Sequence, residues 1–267
     1  MKKVMGPIIN YLRTIRDRSR MVLSKWRESS DYGPWFRGKK VVLVGPNCQY
    51  SERDRCRIKD ADICIVMNKG RRLAIYPELL RSARSIAYFH CLDTNYFWGG
   101  GPLNTLELKR EGLSAVYYPL ADPRIEYNVD SYHRANVAML PLRRVDRRLY
   151  GEVERRLGGF RPTSGLAIAA SLAPLAGCRL YVSGLTFYRK AYAAEYATHL
   201  QDIASIKEQM EGHGVHHPDR ELVEFIRLRK EHGVEVDEQL EAILSAPYVP
   251  LFYTDEGDDR MVREIPQ

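Results

Sequence analysis

The sequence predicts an α/β protein built on a Rossmann-like parallel sheet with helices on both faces, preceded by a basic amphipathic N-terminal helix. Three observations lead there. Short apolar, β-branched runs recur along the chain, continuous rather than alternating, as strands buried on both faces require. Helix-period patterns lie between several of those runs, the order expected of crossover helices on a parallel sheet. The 267 residues carry a net charge of +7, and the excess sits at one end.

Residues 1–40 hold eleven Lys or Arg and three acids, which makes that segment +8; the rest, with thirty basic and thirty-one acidic residues, is −1. In the basic segment Met5, Ile8, Ile9, Leu12 and Ile15 recur at helical spacing, with Arg13, Arg16, Arg18 and Arg20 falling mostly elsewhere on the wheel. Met21, Val22, Leu23 and Trp26 extend the apolar side. No uninterrupted apolar run resembles a secretory signal, and none is long enough to span a bilayer. A helix of this kind can lie in an anionic membrane interface; it can equally pack on the body or stay disordered. Ser29-Ser30-Asp31-Tyr32-Gly33-Pro34 reads as the linker that ends it. The expected division is an arm over residues 1–37 and one domain over residues 38–267.

Lys40–Val44, Asp62–Met67, Ser85–His90, Ala115–Tyr118 and Arg179–Ser183 are the expected strands. Tyr76–Arg84, Tyr150–Leu157, Gly165–Ala176 and Leu222–Glu231 are expected helices. Residues 92–160 are the least regular and include Gly99-Gly100-Gly101-Pro102, so mobile loops over a site are expected there. The five cysteines, Cys48, Cys56, Cys64, Cys91 and Cys178, form no CxxC pair and are odd in number, which points to a reducing, cytoplasmic setting rather than disulfides or zinc.

Ligands of open parallel sheets gather beyond the carboxyl ends of the strands. Gly45-Pro46-Asn47 follows the first strand, where Gly45 lets backbone approach a ligand and Asn47 offers an amide; taken alone it is an ordinary turn. Asn68 ends the second strand, and its amide can both donate to and accept from a base or ribose. No GxGxxG is present, so a dinucleotide site lacks its fingerprint. Thr163-Ser164-Gly165 opens a small, apolar helix, giving two hydroxyls and free N–H groups at a helix N-terminus, which serves as a cap, an anion site, or both. Asp60-Ala61-Asp62 precedes a strand, at the wrong end of the sheet for a metal-bridged diphosphate, and no His/Cys cluster suggests another metal site.

These segments, VVLVGPN, DICIVMN, RPTSGLAIAASLA, LYVSGLTFY and HHPDRE, resemble in order the motifs of bacterial sialyltransferases of glycosyltransferase family 42. The Pro-Thr-Ser-Gly stretch and the spacing of His216 to Glu221 are also similar to the sialyl motifs of family 29. The resemblance covers roughly residues 38–235 and is patchy between 92 and 160. It implies a GT-A-type sialyltransferase variant that uses a CMP-sugar as substrate and needs neither metal nor other cofactor. It further implies that Asn47 and Asn68 hold ribose and cytosine, that Thr163, Ser164 and Gly165 hold CMP, and that Tyr188 meets its phosphate. A second family tyrosine matches Tyr192 loosely. The family turn Gly-Asn-Gly-Pro-Ser is Gly-Pro-Asn-Cys here, which weakens the role of Asn47.

The physical logic agrees. Departing phosphate charge can be stabilised by fixed hydroxyl donors, and the acceptor hydroxyl needs a base of near-neutral pKa, the natural work of His. His216 is favoured by its spacing to Glu221, which could orient it or simply begin the next helix; His217 is the alternative. His90, His133, His199, His213 and His232 lack this context and read as structural or surface residues. The expected function is transfer of an acidic nonulosonate or Kdo-type sugar from CMP to a saccharide, at the cytoplasmic face of a bacterial membrane, in polysaccharide biosynthesis. A retaining Kdo-type transfer would instead use a carboxylate, Asp93 or Asp122. The competing reading is a non-catalytic nucleotide- or nucleic-acid-binding module; the near-neutral body and the lack of an RRM, KH or helix-turn-helix signature argue against nucleic acid.

Overall fold

The computed structural model describes residues 14–16, 18–19, 21–29, 31–97 and 99–252. Its centre is a sheet of seven strands: β1 (Lys40–Val44), β2 (Ile63–Met67), β3 (Ile86–Phe89), β4 (Val116–Tyr118), β5 (Leu142–Arg144), β6 (Arg179–Ser183) and β7 (Glu235–Val236). They lie in the order β5-β4-β3-β2-β1-β6-β7, and every pair is parallel. The five expected strands are present within a residue or so. β5 and β7 were not expected, because Leu-Arg-Arg and Glu-Val carry too little apolar sequence to read as strands.

The helices are α1 (Glu52–Asp60), α2 (Tyr76–Ser82), α3 (Thr105–Arg110), α4 (Glu126–Ala135), α5 (Arg147–Arg156), α6 (Ser164–Leu172), α7 (Ile203–His213), α8 (Pro218–His232) and α9 (Glu238–Ser245). The chain steps outward from β1 to β5, then returns to place β6 on the other side of β1. Right-handed crossovers therefore put helices on both faces. On one side α1 packs against α2 and β1; on the other α6 packs against α5, α8 and β6. Every residue of α6 from Gly165 to Leu172 is buried, which explains its uniformly small, apolar sequence.

The reversal at β1 is the switch point where such sheets open a crevice. Here two turns interlock. A Cβ on Gly45 would stand 2.5 Å from the Gly184 carbonyl oxygen, and one on Gly184, whose φ is +73°, would stand 2.1 Å from the Cys48 nitrogen. Both positions need glycine for space, and Gly184 also for its left-handed backbone.

Two expectations are corrected. Residues 92–160 are more regular than their composition suggests: they hold α3, α4 and α5 with β4 and β5. Local caps fix two of these short polar helices, Asn104 accepting from Leu106 and Glu107 N–H, and Asp146 from Arg148 and Leu149 N–H. The expected linker is instead tied down at Ser29 and Tyr32. Ser29 N–H donates to Leu142 O (2.9 Å), and Ser29 O accepts from Arg144 N–H (2.8 Å). Tyr32 and Phe36 are buried with Phe89 and Tyr117, Tyr32 meeting Phe89 edge-on at 5.2 Å.

Of the expected amphipathic arm, Met5, Ile8, Ile9, Leu12, Arg13 and Arg20 lie outside the described residues. Residues 21–26 are helical. Buried Ser24 ties them to the body through His133 Nδ1 (2.8 Å) and Asn136 Nδ2 (3.0 Å), while Trp26 is 84% exposed beside exposed Val22 and Leu23. At the far side of the sheet, Asp60 takes the Lys40 ammonium (2.8 Å) and Asp62 accepts Lys40 N–H (2.9 Å), so this acidic pair lies at the amino ends of β1 and β2.

Candidate active site

A cavity of about 360 Å³ opens beyond the carboxyl ends of β1, β2, β3 and β6. Its floor is the start of α6. Thr163 caps that helix, its Oγ1 accepting from Leu166 N–H at 3.5 Å. Glu221, from the first turn of α8, grips the same residue twice: Oε1 accepts Thr163 N–H (2.7 Å) and Oε2 accepts Thr163 Oγ1–H (2.6 Å). Glu221 is fully buried, and burial raises its pKa to about 8 against the pull of those two bonds. With Thr163 N–H and Leu166 N–H taken, the N–H groups of Ser164 and Gly165 have no protein acceptor among the described residues. They are aligned with the positive end of the helix dipole.

Asn68 links three elements. It holds φ at +50°. Its Nδ2 donates to Ser164 Oγ (3.2 Å), its Oδ1 accepts Cys91 N–H (2.9 Å), and its backbone oxygen accepts the Tyr88 hydroxyl (2.7 Å). Its side chain also bonds the Tyr196 hydroxyl. The amide thus braces the ends of β2 and β3 against α6. Ser164 Oγ accepts that bond and keeps its own proton for another partner.

The two adjacent histidines part company. His216 lines the cavity. Its Nδ1 lies 2.6 Å from Arg161 O and 3.9 Å from Glu221 Oε1. The carbonyl can only accept, so Nδ1 carries the proton and Nε2 the lone pair. Burial lowers the His216 pKa to about 4, which keeps the ring neutral and ready to accept a proton near pH 7 but sets it below the near-neutral value expected of the base from sequence. His217 is not on the cavity wall. It is the N-cap of α8, its ring accepting from Arg220 N–H (3.4 Å) and meeting Phe160 edge-on at 5.0 Å.

Tyr188 and Tyr192 both face the cavity. Phe187 and Tyr188 have φ of +47° and +60°, two successive side chains in the left-handed region. The Tyr192 hydroxyl bonds that of Tyr188. The rings of Tyr188, Tyr192 and Tyr196 follow one another at 5.7 and 5.4 Å, and burial raises all three pKa values.

Gly45 and Asn47 stand one layer back, while their neighbour Pro46 reaches the wall. Asn47 Nδ2 donates to Thr186 Oγ1 (3.1 Å), and Thr186 lines the cavity. Of the two alternative carboxylates, Asp93 is on the wall. Asp122 is not on the wall; it is clamped by Arg124 (2.8 Å) and Arg161 (3.2 Å), and against the upward push of burial its bonds to Arg124 and the charge of both arginines hold its pKa low.

Several wall residues were not singled out from sequence. Arg161 and Tyr196 are among them, and His213, read from sequence as a structural or surface residue, also lines the cavity. Tyr196 could have been found, since 188, 192 and 196 repeat at four-residue intervals. Lys69 is the least expected. It is 7% exposed, and its ammonium donates to the carbonyls of Tyr96 (3.0 Å) and Phe97 (3.2 Å) and lies 5.7 Å from the Tyr196 ring. Burial, then repulsion from Arg72, lowers its pKa.

No family model matches the chain, and no curated protein matches it. Among solved structures it is similar to the sialyltransferase CST-II in complex with a trisaccharide acceptor and CMP, at 13% sequence identity and a TM-score of 0.44. It is likewise similar to the sialyltransferase CstII from Campylobacter jejuni in complex with the substrate analogue CMP-3FNeuAc, at 14% identity and a TM-score of 0.45. Each likeness covers 85% of this chain and 100% of the other.

Proposed function

We propose that this chain is a glycosyltransferase that moves an acidic sugar of the nonulosonate or Kdo type from a CMP donor to a saccharide acceptor. One observation carries the reading: a histidine with its lone pair fixed on Nε2 shares a cavity with a helix start whose N–H groups are unused. A base and an anion site are what displacement of a sugar from a phosphate requires. The motif resemblance between residues 38 and 235 narrows the nucleotide to CMP.

In this mechanism the α-phosphate of CMP sits at Ser164 and Gly165. Asn68 and Asn47 shape the nucleoside side, Asn68 directly and Asn47 through Thr186. The acceptor hydroxyl attacks the anomeric carbon as the bond from that carbon to the phosphate oxygen breaks. The proton passes to His216 Nε2, and the departing charge meets Ser164 and the Tyr188–Tyr192 hydroxyl pair. The Arg161 carbonyl, 2.6 Å from His216 Nδ1, holds the ring in place as the imidazolium forms, and Glu221 fixes the α6 start through Thr163. No step uses a metal. The inverting course is favoured because a base is on the wall; a retaining course would fall to Asp93.

The exposed Val22, Leu23 and Trp26, with Lys25 and Arg27 between and beside them, would seat the protein on an anionic membrane from the cytoplasmic side. No helix among the described residues is long and apolar enough to cross a membrane.

The test is a donor screen with CMP-Neu5Ac, CMP-Kdo and CMP-pseudaminic acid, read as acceptor-dependent CMP release with and without EDTA. Release from one donor that persists in EDTA is the expected result. Release that vanishes in EDTA and returns with Mn²⁺ would overturn the metal-free mechanism, and no release from any donor would overturn the reaction class.

A further inference from the structure

Lys69 poses a question of charge. Among the described residues, Arg161 on the same cavity wall is matched by Asp122 at 3.2 Å, and half-buried Arg189 and Arg71 are matched by Asp219 at 2.6 Å and by Glu111. Lys69 has no carboxylate within ion-pair distance among the described residues. Its two partners are backbone carbonyls, and an ammonium has three N–H groups to give. Asp93 acts on it only at longer range, and an Asp93 oxygen is already engaged by Asn95 N–H at 2.9 Å. Burying a cation without a counter-ion is costly. Holding it with carbonyls fixes its place but leaves its charge uncompensated.

Its position adds to this. Lys69 follows Asn68, whose amide is bonded to Ser164 at the α6 start. The cavity therefore has two centres of positive potential, a helix N-terminus and an ammonium, with Asn68 braced against one and joined by the chain to the other. A nucleoside monophosphate linked to a neutral sugar brings one anion and would leave Lys69 unmatched. A CMP-linked acidic sugar brings two, since its anomeric carbon bears both the phosphate oxygen and the carboxylate.

We propose that Lys69 is the receptor for the carboxylate of the transferred sugar, and so selects acidic sugars from neutral ones. This rests on the CMP-sugar reading above and assigns it a specificity residue. If Lys69 merely pinned residues 96 and 97, losing it would disturb every ligand alike.

The experiment is calorimetric titration of wild type, Lys69→Met and Lys69→Gln with three probes. These are CMP, whichever of CMP-Neu5Ac and CMP-Kdo wild type binds tighter, and the C1 methyl ester of that donor. The expected result is a CMP affinity unchanged in both variants, while the acidic donor weakens about 10- to 100-fold, the range for a bond to a charged group. The ester should bind wild type as weakly as the acid binds the variants, and the variants should not tell acid from ester. Equal weakening of CMP and donor would assign Lys69 to the phosphate or to structure and overturn the proposal, as would no weakening. Should thermal melts show both variants unfolded, wild type still decides, because an ester bound as tightly as the acid overturns it. Wild type that binds no CMP would overturn the functional reading along with the inference, whereas wild type that binds CMP and variants that lose nothing would sink the inference alone.

Discussion

The floor and the rim of the cavity are built on different principles. On the floor Thr163, Glu221, Asn68 and Ser164 hold one another through bonds of 2.6 to 3.2 Å, from three separate points in the chain. Each is anchored at a strand end or a helix start. The rim is made of rings: Tyr188, Tyr192 and Tyr196 follow one another in series, and Phe97 lines the cavity as well. Hydrogen-bonded networks are specific in angle and intolerant of loss, whereas ring contacts adapt at small cost. The floor is where reaction geometry can be fixed, and the rim is where substrates can be accommodated, save for the bonded Tyr188–Tyr192 hydroxyl pair that the mechanism sets against the departing phosphate.

The sharpest way to break this comparison is His216→Ala. Removing a general base should lower turnover about 10²- to 10⁴-fold and leave CMP affinity nearly unchanged. His217→Ala should do the reverse, keeping turnover and costing about 0.5–2 kcal/mol of stability as a lost helix cap. Steady-state CMP release and thermal melts of the two variants would separate them. A turnover loss confined to His217→Ala would move the base one residue along and collapse the division.

Next in size is Asn68→Ala. It leaves Ser164 and Cys91 N–H without a partner, and CMP binding should weaken by about 1–3 kcal/mol, measured by titration. An unchanged affinity would show that Asn68 braces the floor without shaping the nucleotide site.

Glu221 and His216 make the floor respond to pH in opposite senses. Glu221, raised from an ordinary 4.5 to about 8, keeps a proton in the folded state that the unfolded chain releases, so stability falls as pH rises through that interval. His216, lowered from 6.5 to about 4, stays neutral when folded while the unfolded ring takes a proton, so stability falls as pH drops through that interval. Maximum stability should lie near where the two slopes meet, and Glu221→Gln should flatten the alkaline slope alone. Urea midpoints across pH would check this; an alkaline slope that survives in the variant assigns it elsewhere. The smallest effect is expected at the rim, where Tyr196→Phe, which keeps the ring contact with Tyr192 and loses only the hydroxyl bond to Asn68, should change KM by about two- to tenfold, measured by steady-state kinetics.

The floor was largely legible in the sequence, for reasons that differ by residue. Thr163, Ser164 and Gly165 stand before an apolar run and announce a helix start. Asn68 and Gly45 follow β-branched runs and announce strand ends. The pairing of Glu221 with Thr163 joins positions 58 residues apart, and no local pattern encodes it. His216 and His217 are indistinguishable in composition; only the turn into α8 sends one to the cavity and makes the other a cap. Lys69 was hidden for a different reason. Lysines in polar segments are normally solvated, and its burial depends on the loop at residues 96 and 97 folding over it. α1, α3, α4, α7 and α9 escaped because short, polar helices owe more to caps and packing than to periodicity.

The contact of Ser29 with β5 has a practical consequence. β5 ends the sheet, and a terminal strand with unpaired backbone groups is a template on which another molecule can add its own. Ser29 occupies the Leu142 carbonyl and the Arg144 N–H, so the N-terminal segment serves as the seal on that border. A truncation stopping before residue 21 preserves the seal and still tests the basic arm. One that runs past Ser29 strips it away and should yield protein prone to self-association, a defect easily mistaken for loss of membrane attachment.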